Sequence, residues 1–238
     1  MNYKSSLCWI RRDLRLSDHH ALHQALRNSE RVTIVFVYDT TILENLEDKS
    51  DRRVTFIHES LKEIDLKLRD MGSALVTLFG DPRNEIPLLA KKLSVDAVYC
   101  NRDYEPVAKE RDETVYNLLQ SSGIAFHTFK DQVIFEGLEI ISQAGTPYRK
   151  FTPYKNTWLK KLTYYDINTY QPKFTNLTPI KQLGKFAQYL SLIQIGFKNS
   201  KLWLHPGEEA ASKRLTAFLK KIDMYDKHRD LPEVDGTS

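Results

Sequence analysis

Two short runs of charge carry most of the chemistry available to this sequence. The first, RRDLRL, holds Arg11, Arg12, Asp13 and Arg15; the second, NRDYEP, holds Arg102, Asp103 and Glu105. Such groups either meet a ligand or meet each other. Arg12 and Arg15 could form ion pairs with Asp13 and Asp103 and serve only to tie loops together. No GxGxxG follows the first apolar run and no GxxxxGK[ST] occurs anywhere, which argues against a dinucleotide or P-loop phosphate site. His19, His20 and His23 share a helix start, but no acidic or cysteine partner falls at metal-ligand spacing; they read as a solvated helix face, and no metal is expected. A GxSxG elbow is missing, as is any Cys/His arrangement suited to nucleophilic catalysis. Cys8 and Cys100, the only cysteines, read as buried thiols in a reducing cytoplasm rather than as a disulfide or metal pair.

These charges need elements to position them. Residues 5–10 read as a short buried strand. Residues 17–28 read as a helix with Ser17 or Asp18 as N-cap, since a short side-chain oxygen can accept from the N–H groups of the first turn. The β-branched and aromatic run 31–38 is a second strand. Between residues 51 and 71, apolar positions fall at Val54, Ile57, Leu61, Ile64, Leu68 and Met71, one face of a long helix that Gly72 ends. Residues 74–79, 95–100 and 124–129 are further strands. Pro82 opens a helix through Leu93, and 106–121 form another. Strand and helix therefore alternate as in a parallel sheet covered on both faces. The fold class is α/β, a doubly wound five-stranded parallel sheet of order 3-2-1-4-5. In that order a crevice opens at the C-terminal ends of strands 1 and 4, where helices depart to opposite faces. The two charged runs leave those two strands, and Tyr38–Asp39, at the tip of strand 2, lies beside the first.

The 238 residues are 41% hydrophobic and 28% charged, a soluble globular balance. No apolar run approaches the roughly 20 residues of a membrane span, and the N-terminus has too short an apolar stretch for a signal peptide. A cytoplasmic, non-membrane protein is expected. The net charge of +4 is unevenly spread: −4 over residues 1–146, +11 over 147–229 and −3 over 230–238. That change suggests a second module with an anionic partner, or else a solvated basic surface with none. Three parts follow: an α/β domain over 1–130, a connector over 131–206 crossing the surface of the first domain, and the start of a helical domain over 207–238. Trp158, at helical spacing between Tyr154 and Leu162, is expected in a core. Pro206 is expected at the first position of a helix to which Leu215, Phe218, Leu219 and Ile222 give one apolar side.

The run WIRRDLRLSDHHAL resembles the start of the DNA photolyase/cryptochrome family, whose pattern is W-F-R-R-D-L-R-x-x-D-N-x-A-L. Trp9, Arg11, Arg12, Asp13, Leu14, Arg15, Asp18, Ala21 and Leu22 match it. Further stretches resemble the family in order: YCNRDYEPVAKERDETV (99–115), YRKFTPYKNTWLKKL (148–162) and YDKHRDLPEVDGTS (225–238). The similarity is greatest to the N-terminal half of microbial cyclobutane-dimer photolyases. It implies an α/β domain for an antenna chromophore, a connector and a helical FAD domain. The implied activity is light-driven, FAD-dependent repair of cyclobutane pyrimidine dimers in DNA. The resemblance assigns Tyr225, Thr237 and Ser238 to FAD and Arg229 to DNA. A folate-type antenna pattern has Asn-Glu where this chain has Val107-Ala108. The deazaflavin-type pattern has an Arg opening the long helix and acids in N-x-D-x-E-P, here Arg53, Asp103 and Glu105, completed by the backbone of Val37, Tyr38 and Asp39. A deazaflavin- or flavin-type antenna is therefore favoured over folate, with an empty pocket as the alternative.

The chain stops at Thr237-Ser238, where the family's flavin pocket begins. The resemblance thus implies that this length by itself neither holds FAD stably nor repairs DNA and that it contains no catalytic residue; the rest would come either from a continuation of the same chain or from a separate C-terminal half. A cryptochrome-type blue-light sensor and a stand-alone nucleotide-binding α/β module are the alternatives.

Overall fold

The structure, a computed structural model, describes residues 2–234. Five parallel strands form its centre: β1 (Ser6–Trp9), β2 (Val32–Asp39), β3 (Val76–Gly80), β4 (Ala97–Asn101) and β5 (Ala125–Phe129), in the order β3-β2-β1-β4-β5. The intervening helices are α1 (His20–Asn28), α2 (Thr40–Leu43), α3 (Arg52–Asp70), α4 (Pro82–Lys92) and α5 (Pro106–Gln120). β1, β2 and β4 bury side chains on both faces, as a sheet covered on both sides requires. Cys8, Ile34, Phe36, Tyr38 and Tyr99 face α1 and α3, while Leu7, Trp9, Val35, Val37, Val98 and Cys100 face α4 and α5. The helical spacing read over 51–71 holds: Val54, Leu61, Ile64 and Leu68 are buried and Ile57 packs beside them, whereas Met71 is exposed as the C-cap. Gly72 follows with φ +79, a turn that only a residue without Cβ adopts cheaply.

The start of α1 differs from expectation. Its N-cap is His19, whose side chain accepts from the Leu22 N–H. Asp18 has φ +43 and makes the turn before the helix; its carboxylate accepts from the Tyr170 N–H instead. Ser17 is drawn away to Glu208. The histidines do not form a solvated face. His19 is fully buried, His20 stacks on Tyr170 at 3.7 Å between centroids, and His23 bonds to the Gln171 carbonyl. Helical periodicity could not foresee the connector segment that covers them.

Beyond β5 lie α6 (Phe151–Lys161), α7 (Ile180–Leu183), α8 (Glu208–Leu219) and α9 (Tyr225–His228). The weakly patterned stretch after α6 is an integral strap. Thr178 N–H donates to the Val32 carbonyl, and Ile180 N–H to that of Gly72. Leu183 enters the α4/α5 core, and Leu192, Ile195 and Phe197 enter the α1/α3 core. Trp158 is only half-buried, meeting Phe135 edge-on at 5.5 Å in a surface cluster capped by Lys130 and Lys161. It is not in a core, because α6 buries no residue. Glu208, not Pro206, is the first residue of α8, with Gly207 as N-cap; Leu215 and Leu219 on its apolar side are exposed, as is Ile222 just past its end.

Candidate functional site

The C-terminal ends of β1 and β4 lie side by side, and the charged runs that leave them interlock. Arg11 is nearly buried. Its Nη1 contacts both Asp112 carboxylate oxygens, at 2.6 and 2.8 Å, and its Nη2 donates to the Asn101 carbonyl. The guanidinium sits 4.7 Å from the ring centroid of Trp9, and Arg111 meets the same ring at 5.1 Å. A planar cation with five donors suits this combination of stacking and carboxylate pairing. Arg11 therefore anchors the first loop to β4 and α5 and is not presented to a ligand.

Asp13 and His19 close the base of the first loop. Asp13 Oδ1 accepts the Arg11 N–H at 2.7 Å, and Oδ2 accepts from Asn101 Nδ2 at 2.6 Å and His19 Nε2 at 2.8 Å. Because His19 Nδ1 accepts from Leu22, the ring proton sits on Nε2. Asn101 Oδ1 takes the Ala21 N–H. Burial alone would raise the Asp13 carboxyl, but His19 and Arg11 outweigh it and hold it far below the usual carboxylate range. Burial pushes the Cys100 thiol up to about 12, so this cysteine stays protonated and unreactive.

Above this base, Arg12 spans the crevice. Its Nη2 meets Glu105 Oε1 at 2.8 Å and its Nε lies 3.5 Å from Asp103 Oδ2. Asp103 is buried, while Arg12 and Glu105 remain more than half exposed. Beside them the edge of β2 is open. The last β1–β2 register pair is Trp9 with Val35, and Ile10 N–H donates to the Val35 carbonyl. β2 continues to Asp39 against β3 alone. Along a parallel strand, alternate residues address the same neighbour, so the N–H and C=O of Val37 face the gap that β1 has left. A guanidinium and two carboxylates thus meet at the C-terminal ends of β1 and β4, with an unpaired peptide edge at the tip of the neighbouring β2, at the switch point where doubly wound folds bind ligands.

The sequence pattern of the DNA photolyase family, described as DNA photolyase, matches residues 6–176. The chain belongs to that family. A deoxyribodipyrimidine photo-lyase of Synechococcus sp. (strain ATCC 27144) is 35% identical over 98% of this chain, which covers 49% of the relative. Among solved structures, a bacterial class III photolyase from Agrobacterium tumefaciens superposes with a TM-score of 0.83 at 23% identity, over 100% of this chain and 49% of the other. An archaeal photolyase from Sulfolobus tokodaii, described with two FAD molecules, superposes with a TM-score of 0.73 at 25% identity, over 92% and 47%. The chain spans about half the length of these relatives and corresponds to the N-terminal half of a photolyase.

Within that frame, the residues singled out by the photolyase resemblance fall into separate groups. Asp103 and Glu105 meet through Arg12. Tyr38 and Val37 bury their side chains on opposite faces, leaving only backbone toward the crevice. Asp39 caps α2 through the Thr41 N–H. Arg53 folds back onto Asp51, the N-cap of its own helix, at 2.6 Å. Arg15 pairs with Asp131 at 2.8 Å and with the Asp18 carbonyl, not with Asp13, which His19 and Asn101 already occupy. Tyr225 is 40% exposed, packs edge-on against Phe218 and accepts the Arg229 N–H at its carbonyl, while its hydroxyl has no hydrogen bond among the described residues; the Arg229 guanidinium lies 5.9 Å from its ring. Thr237 and Ser238 lie outside the described residues. The sequence reading missed Asn101, Asp112, Asp131 and the role of His19. Asn101 and Asp131 were signalled only by sitting at or just past strand ends, whereas Asp112, inside α5, carried no such signal.

Among the described residues, no helix is long and apolar enough to cross a membrane.

Proposed function

We propose that this chain is the antenna-domain portion of a deoxyribodipyrimidine photolyase. Its crevice takes a planar flavin- or deazaflavin-type ring, and residues 225–234 form the first rim of a FAD chamber that a helical half completes. The convergence of Arg12, Asp103, Glu105 and the open Val37–Asp39 edge carries this reading. The edge of such a ring alternates N–H donors with carbonyl acceptors, and a peptide edge flanked by a cation and carboxylates matches it without requiring a fixed ligand charge. At the position of the folate-type Asn-Glu, Val107 is exposed and Ala108 buried, so neither offers a polar group. The Sulfolobus relative, described with two FAD molecules and the implication of a novel light-harvesting cofactor, supports a flavin-type occupant.

Tyr225 and Arg229 fit a rim but cannot enclose a dinucleotide. When FAD is bound in the complete protein it supplies the light-driven electron. In this chain, the resemblance gives Tyr225 to the flavin and Arg229 to a DNA phosphate, a contact that positions without reading sequence. The lesion would leave the duplex stack to approach the flavin. The basic stretch over 147–229 suits such a partner, because phosphate neutralisation dominates DNA affinity.

The test combines the purified chain with the C-terminal half of a photolyase, FAD and dimer-containing DNA under blue light. Repair that requires both polypeptides is the expected outcome. Retained FAD without repair would favour a light sensor, and repair by this chain unaided would overturn the proposal.

A further inference from the structure

A second concave surface lies at the end of the sheet opposite the crevice. Chain segments entering three strands and one stretch of the strap enclose a cleft of about 270 Å³. Its polar lining includes Lys4 before β1, Arg31 and Thr33 at the start of β2, Ser94 and Asp96 before β4, and Thr178 from the strap.

The hydrogen bonding of this lining is incomplete in one direction. Thr33 and Thr178 are buried, and their hydroxyl oxygens lie 2.8 Å apart. One of the two hydroxyl protons makes that bond. Whichever hydroxyl donates, the pair retains one proton with no acceptor among the described residues. A buried donor without an acceptor is costly, and here it lines a cleft. Asp96 does not serve it, because its Oδ2 accepts the N–H groups of Lys4 and Ser5, at 2.8 and 3.1 Å. The cations are unanswered as well. Neither the Lys4 ammonium nor the Arg31 guanidinium has an ion pair or hydrogen bond among the described residues. Ser94 adds a hydroxyl from a backbone at φ +50, the position after a helix where glycine is usual.

We propose that this cleft binds a phosphate-type oxyanion, with Arg31 and Lys4 supplying charge and the Thr33–Thr178 pair and Ser94 supplying neutral donors. Two cations against one carboxylate, with hydroxyl donors between them, select an anion with several acceptor oxygens over a cation or an apolar group. Inorganic phosphate and the phosphate of a small ester present the same oxygens, and the volume admits either. The bound anion would also tie the strap to the sheet.

The experiment is calorimetric titration of the full chain at low ionic strength with inorganic phosphate and, separately, with adenosine monophosphate. Saturable one-to-one binding of phosphate alone, or of both anions, is expected, the comparison telling which source the cleft accepts. Arg31→Gln, an exposed substitution that leaves the core alone, is expected to weaken binding at least tenfold. The double variant Thr33→Val with Thr178→Val keeps the shape, removes both hydroxyls and is expected to weaken binding at least threefold. Arg12→Ala, in the opposite crevice, is expected to change nothing. Failure of both anions to saturate overturns the proposal. So does full affinity in Arg31→Gln, or binding abolished by Arg12→Ala but not by Arg31→Gln.

Discussion

His19 Nε2 lies 2.8 Å from Asp13 Oδ2, and both side chains are buried where the loop after β1 turns into α1. Asp13 is the common acceptor for this ring N–H, the Asn101 amide and the Arg11 backbone N–H. It therefore ties β4, α1 and its own loop to one point. Asp13→Ala would leave three buried donors unsatisfied at once. Losing one partner of a buried charged network costs about 3–5 kcal/mol. Urea unfolding should show a loss of that order. A loss within the range of an ordinary surface substitution would mean that the network is not what joins the two loops.

The same carboxylate should make stability depend on pH. Burial works to raise its pKa, but His19 and Arg11 depress it well below the ordinary Asp value. A depressed pKa means that the unfolded chain takes up the proton first. The stabilisation is fully present above the unfolded value, about 3.9, and is lost as pH falls through the folded one. Unfolding free energies measured from pH 6 down to pH 3 should fall more steeply in the parent than in Asp13→Asn. Parallel curves would place the acid sensitivity in other carboxylates, such as Asp51 or Asp81, whose hydrogen bonds with Arg53 and Arg83 also lower their pKa values.

His19 stands where the family pattern has asparagine. It performs two tasks, capping α1 through Nδ1 and donating to Asp13 through Nε2. Asparagine is a good N-cap but is too short to do both. His19→Asn should keep the cap, lose the link to Asp13 and cost about 1 kcal/mol. His19→Ala should lose both and cost about 2–3 kcal/mol. Equal losses in the two variants would show that the cap contributes nothing.

The strand order, both core faces and the crevice loops were legible in the sequence, because alternating apolar runs and helical spacing report on burial directly. The partners inside the crevice were only partly legible. Arg12 with Asp103 could be named because both sit just past strands adjacent in the sheet. Arg15 with Asp131 could not, since residue 131 follows β5 and its approach depends on how the chain turns there. The strap was read as a surface crossing, yet Leu192, Ile195 and Phe197 enter the core from a segment with no periodicity. Single apolar side chains inserted between irregular turns leave no repeat to detect. His20 was misread for the related reason that its cover, Tyr170, lies 150 residues further along the chain.

The crevice assignment makes the last prediction. Arg12 and Glu105 are more than half exposed, and their ion pair adds little to folding. Arg12→Ala and Glu105→Gln should therefore change stability by no more than about 0.5 kcal/mol. If their pairing shapes a site for a flavin- or deazaflavin-type ring, each substitution should weaken riboflavin or deazaflavin binding about tenfold. That is the worth of one well-placed polar contact, about 1.4 kcal/mol. Arg53→Ala should have a smaller effect, because Arg53 is turned onto Asp51 and reaches the crevice only by giving up that partner. Quenching of ligand fluorescence, titrated for the three variants and the parent, measures all of these. Affinities unchanged in Arg12→Ala and Glu105→Gln but reduced in Arg53→Ala would move the ring toward the N-terminus of α3. In that case the Arg12–Glu105 bridge would remain a structural tie between β1 and β4.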